Sequence, residues 1–356
     1  MGTTTRVIEV DAEGGNKSGK STEDSYDFIE RKKFKEYSDR KETLFQTEKN
    51  AFVPGTQINF TLYKQHRADF EPFIKADEKS PALLTAEMLS EVLGSRSEIM
   101  IERTDIERYH SYLKAVSALP GLSEDNSYRQ KTFAMKEDAK IVMKELLDDP
   151  RSGEKIKEAK NVVSTLVNAV LDNSEMLFNM VTLSKYDYYT YTHCVNVATL
   201  SIGLAIAVGL EKQRVENLGI GAILHDVGKT AIPAELINKQ GRLNELEFMR
   251  VKEHVREGEA LLVGNKDIPK ESLDAVLQHH EKLSGKGYPL HLKGDEIKLF
   301  GRIAAIADCY DALTTQRSYK PALKPFEALK IIAKEINDFD RPLLKEFIGM
   351  LGKIKP

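Results

Sequence analysis

The sequence predicts a mainly α protein, in which an all-α C-terminal helical bundle follows a small N-terminal α/β module. Three observations carry that prediction. Apolar and polar residues alternate over positions 57–63, the pattern of a half-buried strand, and further short runs of strand character end near residue 101. Beyond Pro120-Gly121 the apolar positions recur at helical spacing, as in Val163, Leu166, Val167, Val170 and Leu171. Six of the eight histidines fall between positions 193 and 291, among the helical segments, so the chemistry is concentrated in the second half.

Taken in order, residues 1–50 form a disordered or flexible segment, rich at first in Gly, Ser, Thr and charge. Its charged part, residues 27–49, is read as either a helix or flexible chain. Residues 51–118 make the α/β regulatory or interaction module. It has strands at 57–63, 70–74 and 98–101, a helix capped by Thr85 and ended by Gly94, and a helix over 106–116. Nothing in the module suggests catalysis. Residues 119–183 are connecting helices, read as a stalk, a homodimer contact or the first helices of the next domain. Residues 184–356 are the helical domain, with helices expected over 188–209, around the apolar run 218–224, around His254 and over 273–281.

Composition excludes several classes. A formal net charge of −3, with 41% hydrophobic and 30% charged residues, is ordinary for a globular chain and offers no general attraction to a nucleic acid polymer or a membrane. No stretch reads as long and apolar enough for a bilayer span, and the N-terminus lacks the apolar core of a signal peptide. Two cysteines, Cys194 and Cys309, supply no disulfide framework, so the expected setting is a reducing cytoplasm. Both read as small packing residues.

The chemistry centres on His225-Asp226-Val227-Gly228-Lys229, at the end of the run 218–224. Imidazole and carboxylate both ligate divalent cations, and a carboxylate can bridge two. Gly228 is expected to stop the helix in the left-handed conformation. Lys229 then carries a cation to where a phosphate could be held. Alone, the pair also fits a capped helix end with an incidental histidine. Around it, His193, His254, His279, His280 and Asp308 come from other helices or their ends. This set is too large for one ion with open positions and suits two ions bridged by Asp226. Ions about 3.5–4 Å apart acidify a bridging water and polarise a phosphoryl oxygen, which implies hydrolysis of a phosphate ester. His66, His110 and His291 have no evident partners and read as surface or locally satisfied residues.

The words occur in a fixed order. His225-Asp226-Val227-Gly228-Lys229 is followed by His254 with Gly258, then by His279-His280-Glu281-Lys282-Leu283-Ser284-Gly285-Lys286-Gly287-Tyr288-Pro289, and then by Asp308-Cys309-Tyr310-Asp311-Ala312-Leu313-Thr314. Over residues 185–335 the chain resembles the HD-GYP family, a bacterial subgroup of the HD phosphohydrolases. The resemblance implies an all-α, metal-dependent phosphodiesterase that cleaves cyclic di-GMP to pGpG or on to GMP, using iron or manganese. It implies His193, His225, Asp226 and Asp308 as ligands of one ion, and Asp226, His254, His279 and His280 as ligands of the other. Asp226 and Lys229 carry the catalytic role, and Lys229, Tyr288, Thr314, Arg317 and Lys320 bind substrate. Residues 282–330 hold nine Lys and Arg against five Asp and Glu, which suits a substrate with two phosphodiesters.

Some positions depart from the family pattern. Tyr189 stands where many members carry a Glu for a third ion, so two ions per chain are expected. Ser284 replaces an Asp of the loop, and Val255 replaces a Pro; neither removes a ligand. A protein partner could meet the loop or the N-terminal module. The competing readings are a hydrolase of another nucleotide and a catalytically weak cyclic di-GMP receptor.

Overall fold

The computed structural model describes residues 43–66, 69–94, 98–119, 124–182, 190–316, 321–335 and 337–353. The expectations for residues 1–42 and for Tyr189, Arg317 and Lys320 lie outside the described residues, as does the side chain of His66.

Short alternating runs build an antiparallel sheet of four strands in the order β1-β6-β3-β4. These are β1 (Leu44–Thr47), β3 (Leu62–His66), β4 (Asp69–Ile74) and β6 (Ile99–Glu102), while β2 (Gln57–Ile58) pairs separately with β5 (Ala82–Leu83). Two expectations change. The segment read as flexible up to residue 50 supplies β1, because Leu44 and Phe45 bury against the module and the strand pairs in register with β6 from Leu44↔Glu102 to Thr47↔Ile99. The single strand expected at 57–63 is split between the two sheets. Its period-2 burial holds at Ile58, Phe60 and Leu62, yet the chain changes partners between them, where Thr61 Oγ1 donates to Ala76 O at 3.0 Å. Pro72 is tolerated because β4 is an edge strand.

Helix α1 (Ala86–Gly94) starts as expected, with Met88 N donating to Thr85 Oγ1 at 3.2 Å. Helix α2 (Ile106–Ala118) drops Tyr109 and Tyr112 onto Phe52 and Phe60, with ring centroids 5.6–6.0 Å apart. Each such aromatic pair contributes about 0.5–1.5 kcal/mol beyond area burial. The Tyr112 hydroxyl accepts from Val53 N at 2.9 Å, so its polar end is satisfied.

Helices α3 (Glu124–Asp148), α4 (Gly153–Asp172) and α5 (Ser174–Thr182) follow. Helix α3 is a shared wall: Phe133, Ala134 and Ile141 join the module core, while Val142, Met143 and Leu146 join the bundle core. The stripe Val163, Leu166, Val167 and Val170, read as part of a stalk, a dimer contact or the first helices of the next domain, is buried in the bundle core, while Leu171 is 46% exposed.

The bundle is organised around α6 (Thr190–Ala207), buried without a break from Thr192 to Ala205. By length and composition α6 could cross a membrane, contrary to the reading that no stretch could, but 78% of it is buried inside the protein. A helix apolar all round is what a bundle centre requires. Around it lie α7 (Lys212–Leu224), α8 (Ala234–Ile237), α9 (Glu245–Lys252), α10 (His254–Leu262), α11 (Ser272–Gln278), α12 (Leu299–Thr314), α13 (Pro325–Lys334) and α14 (Arg341–Gly352). Helix α11 stops at Gln278, three residues short of the expected Glu281, so His279 and His280 emerge at its end.

Gly228 does not play the expected role. It has no positive φ and lies inside a 3₁₀ turn, Val227–Ala231. Its need is for close approach: a Cβ there would stand 1.9 Å from the His254 carbonyl oxygen and 2.3 Å from Gly258 N. Gly228→Ala should therefore push the turn off α10 and cost about 1–3 kcal/mol or more, as overpacking does. Thermal denaturation checks this against Gly94→Ala, where a Cβ meets nothing within 4 Å. Equal midpoints for the two variants would contradict the close-approach argument.

Candidate metal centre

Five elements deliver side chains to one buried point. His193 comes from α6, His225 and Asp226 from the end of α7, His254 from the start of α10, His279 and His280 from the end of α11, and Asp308 from α12. Asp226, 1% exposed, is the hub. Its Oδ2 lies 3.3 Å from His225 Nε2 and 3.6 Å from His193 Nε2, and its Oδ1 lies 3.3 Å from His254 Nε2 and 4.0 Å from His279 Nε2. Asp308 closes the other side, with Oδ1 3.1 Å from His193 Nε2 and Oδ2 3.6 Å from His280 Nδ1.

The far side of each ring fixes its tautomer. Nδ1 of His225 faces Ala222 O at 2.7 Å, that of His254 faces Val251 O at 2.6 Å, and that of His279 faces Val276 O at 2.8 Å. A carbonyl oxygen only accepts, so Nδ1 carries the proton and Nε2 turns a lone pair inward. Burial pushes the pKa of His254 and of His279 below the usual imidazole value, partly opposed at His254 by Asp226 and reinforced at His279 by His280. Burial also takes His280 down to about 3 despite Asp308. Burial would raise Asp226, but the Lys229 ammonium and His225 outweigh it and hold the carboxyl well below the usual range. Asp308 is likewise kept ionised against burial by its contacts with His193 and His280.

Neutral imidazoles around anionic carboxylates are the protonation states that metal binding needs. Two details fit the same conclusion. His225 Nε2 and Asp226 Oδ1 are buried without a hydrogen-bond partner. The Nε2 atoms of His254 and His279 face each other at 3.4 Å, two lone pairs with no proton between them. Groups of three donor atoms lie within 4.8 Å of one another in the sets His254, His279, His280 and His193, His225, Asp308. The mixed imidazole and carboxylate donors suit a divalent transition ion. Cys194 is not a competitor, because burial and the nearby Asp226 carboxylate keep its thiol protonated.

The other expected residues divide. Lys229 places its ammonium on Asp226 Oδ2, the nearest buried anion. Tyr288 lies over His280, with centroids 4.7 Å apart and planes 31° apart. Thr314, expected to bind phosphate, is not brought to the cluster: its hydroxyl donates to Tyr310 O at 2.8 Å in its own helix, and it faces a small space with Met180, Asn196 and Asp311. His110 lies apart from the cluster, with Nε2 2.6 Å from Asp138 Oδ1.

Sequence reasoning missed Asp311 and gave no role to Glu281. Asp311 Oδ2 accepts from His193 Nδ1 at 2.6 Å, while its Oδ1 accepts from Asn196 at 2.9 Å and Thr315 at 3.0 Å. The signal was its place three residues after Asp308, on one face of a helix. Buried Glu281 holds the glycine-rich loop by accepting from Leu290 N at 2.6 Å and Leu292 N at 3.1 Å. Ser284 does not leave the loop without a carboxylate, since its hydroxyl donates to Asp338 Oδ1 at 2.6 Å.

Asp311→Asn tests the support of His193. An amide presents an N–H to His193 Nδ1 and shifts the ring proton to Nε2, where it blocks ligation. Metal affinity should fall about ten- to a hundredfold, the usual cost of losing a partner behind a ligand. Competition with a chelator measures it, and unchanged affinity would remove Asp311 from this role.

Comparison with known proteins identifies the family. A family model described as HD domain matches residues 165–343, half of the chain. The chain is 34% identical over 216 residues to "Cyclic di-GMP phosphodiesterase PA4108" of Pseudomonas aeruginosa, covering 60% of this chain and 52% of that protein. It is 34% identical over 160 residues to "3'3'-cGAMP-specific phosphodiesterase 2" of Vibrio cholerae, covering 44% of this chain and 31% of that protein. The chain thus spans about half or less of the length of these relatives. Among solved structures it is similar in fold to Bd1817, a HDG"Y"P protein from Bdellovibrio bacteriovorus. The TM-score is 0.67 at 19% identity, covering 87% of this chain and 99% of that one. The family match and the gathered histidines and aspartates lead to one conclusion: the chain belongs to the HD domain family.

Proposed function

We propose that this protein hydrolyses a phosphodiester of cyclic di-GMP, releasing pGpG, with two divalent ions, iron or manganese, held around Asp226. The observation that carries the reading is the division of the Asp226 carboxylate. One oxygen faces His193 and His225, and the other faces His254 and His279, with every Nε2 lone pair turned inward. Such a pair of ions would lower the pKa of a shared water and neutralise charge on the phosphate. The name of the relative from Pseudomonas aeruginosa supports the substrate.

The residues have separable tasks. Asp226 stays ionised although buried and holds both halves together. Outward Nδ1–H bonds fix the rings, so no reorientation is needed when ligands arrive. Lys229 keeps an ammonium beside the carboxylate, ready to meet a phosphate oxygen as a second cation. Asp308 and His280 are the more exposed members of the cluster, at 13% and 27%, so substrate enters on the side where Tyr288 stands.

A second reading has its own support. A relative named as specific for 3'3'-cGAMP matches at the same 34% identity as the one named for cyclic di-GMP. The metal centre grips phosphate and does not read the base. Turnover of both dinucleotides by iron- or manganese-loaded protein, followed by chromatography, separates the readings. We expect a higher kcat/KM for cyclic di-GMP, and a reversed preference would favour the second reading. No turnover of either would overturn phosphodiesterase activity altogether.

Asp226→Ala should lose bound metal and cut turnover by at least a hundredfold, while circular dichroism keeps its helical signature. Elemental analysis provides the check. A variant that retained both ions and near-normal turnover would show that Asp226 is not the bridge.

A further inference from the structure

Beside the metal centre, α9 presents an aromatic and a cationic side chain that the site has not yet used. Phe248 and Lys252 are four residues apart, so they share one face of the helix. That face meets the glycine-rich loop. The Phe248 ring stands edge-on to Tyr288, with centroids 6.3 Å apart at 83°, and Lys252 Nζ lies 4.6 Å from the Phe248 centroid and 5.2 Å from that of Tyr288. Tyr288 in turn lies over His280. A continuous line of rings therefore runs from a metal-ligand candidate out to Phe248, which remains 44% exposed. An exposed phenylalanine on a helix with no buried residues gives no core packing in return.

We propose that Phe248 and Lys252, together with Tyr288, form a platform on which one purine base of the cyclic dinucleotide stacks while its phosphate lies at the metal centre. The inference rests on the proposed function and deepens it by naming what recognises the base. A purine presents a π-face to the phenyl ring and acceptor atoms, such as N7 and a 6-oxo group, to the ammonium. Every purine has the face, and the 6-oxo acceptor belongs to guanine. Lys252 is thus the residue that can distinguish guanine from adenine, a distinction the metal centre cannot make.

The test uses the full chain loaded with manganese. Phe248→Ala should raise KM for cyclic di-GMP about five- to a hundredfold, the range for loss of one base–aromatic contact, with kcat within about twofold. Metal content and thermal midpoint should match wild type, and Phe248→Tyr should restore KM. A cyclic dinucleotide with 2-aminopurine in place of both guanines gives a reading independent of turnover. Its fluorescence should be quenched on binding wild type and Phe248→Tyr, and less on Phe248→Ala at saturation. Lys252→Met should narrow the preference for cyclic di-GMP over cyclic di-AMP, which has no guanine to present. Wild-type turnover with an unchanged KM and unchanged quenching in Phe248→Ala would overturn the platform alone. A wild-type protein that neither binds nor cleaves cyclic di-GMP would overturn the proposed function and the platform with it.

Discussion

Everything at the centre depends on keeping one buried carboxylate ionised. Burying an unpaired charge costs several kcal/mol, and Asp226 is 1% exposed. The opposing attraction comes from the Lys229 ammonium, three residues along the same turn. That requirement explains why the turn after α7 is pressed against α10 so closely that only glycine fits at Gly228. Without that approach His254 would not reach the second oxygen of Asp226.

The imidazoles are oriented by a device used three times. His225, His254 and His279 each stand just past the end of a helix, α7, α9 or α11, and each Nδ1 donates to the carbonyl three residues earlier. Helix C-termini leave their last carbonyls without backbone donors. These last-turn acceptors fix the tautomer, and they leave Nε2 free for the centre. His193 sits within α6, where no carbonyl is free, and takes Asp311 from α12 instead. The same carboxylate also joins α6 to α12 through Asn196.

The N-terminal module is tied to this assembly through α3, whose two faces belong to different cores. Between those faces Lys136 is buried and donates to Met180 O at 2.8 Å; burial, with Lys140 nearby, takes its pKa down to about 7. Its neighbour Glu137 is pushed up by burial, only partly offset by Lys140. Lys136 thus ties the shared wall to α5 through Met180.

Sequence alone pointed to the candidate metal ligands of this protein and to much of its helical architecture. Ligand-bearing residue types are rare in cores, and their clustering at helix ends is visible because a helix repeats every few residues and periodicity survives in one dimension. The same local logic revealed the Thr85 cap and the alternation at Ile58, Phe60 and Leu62. It failed where a choice of partner was involved. The pattern at 57–63 does not say which strand each half will pair with, a run of charge around residue 40 does not announce β1, and an apolar stripe on α4 reads alike whether it meets another chain or its own. Gly228 shows the limit most clearly: glycine at a helix end suggests a left-handed stop, and only the tertiary structure reveals another backbone 1.9 Å from where a Cβ would be. Asp311 and Phe248 were hidden for the same reason. Their significance lies in which rings face them, and that is decided by packing between segments distant in the chain.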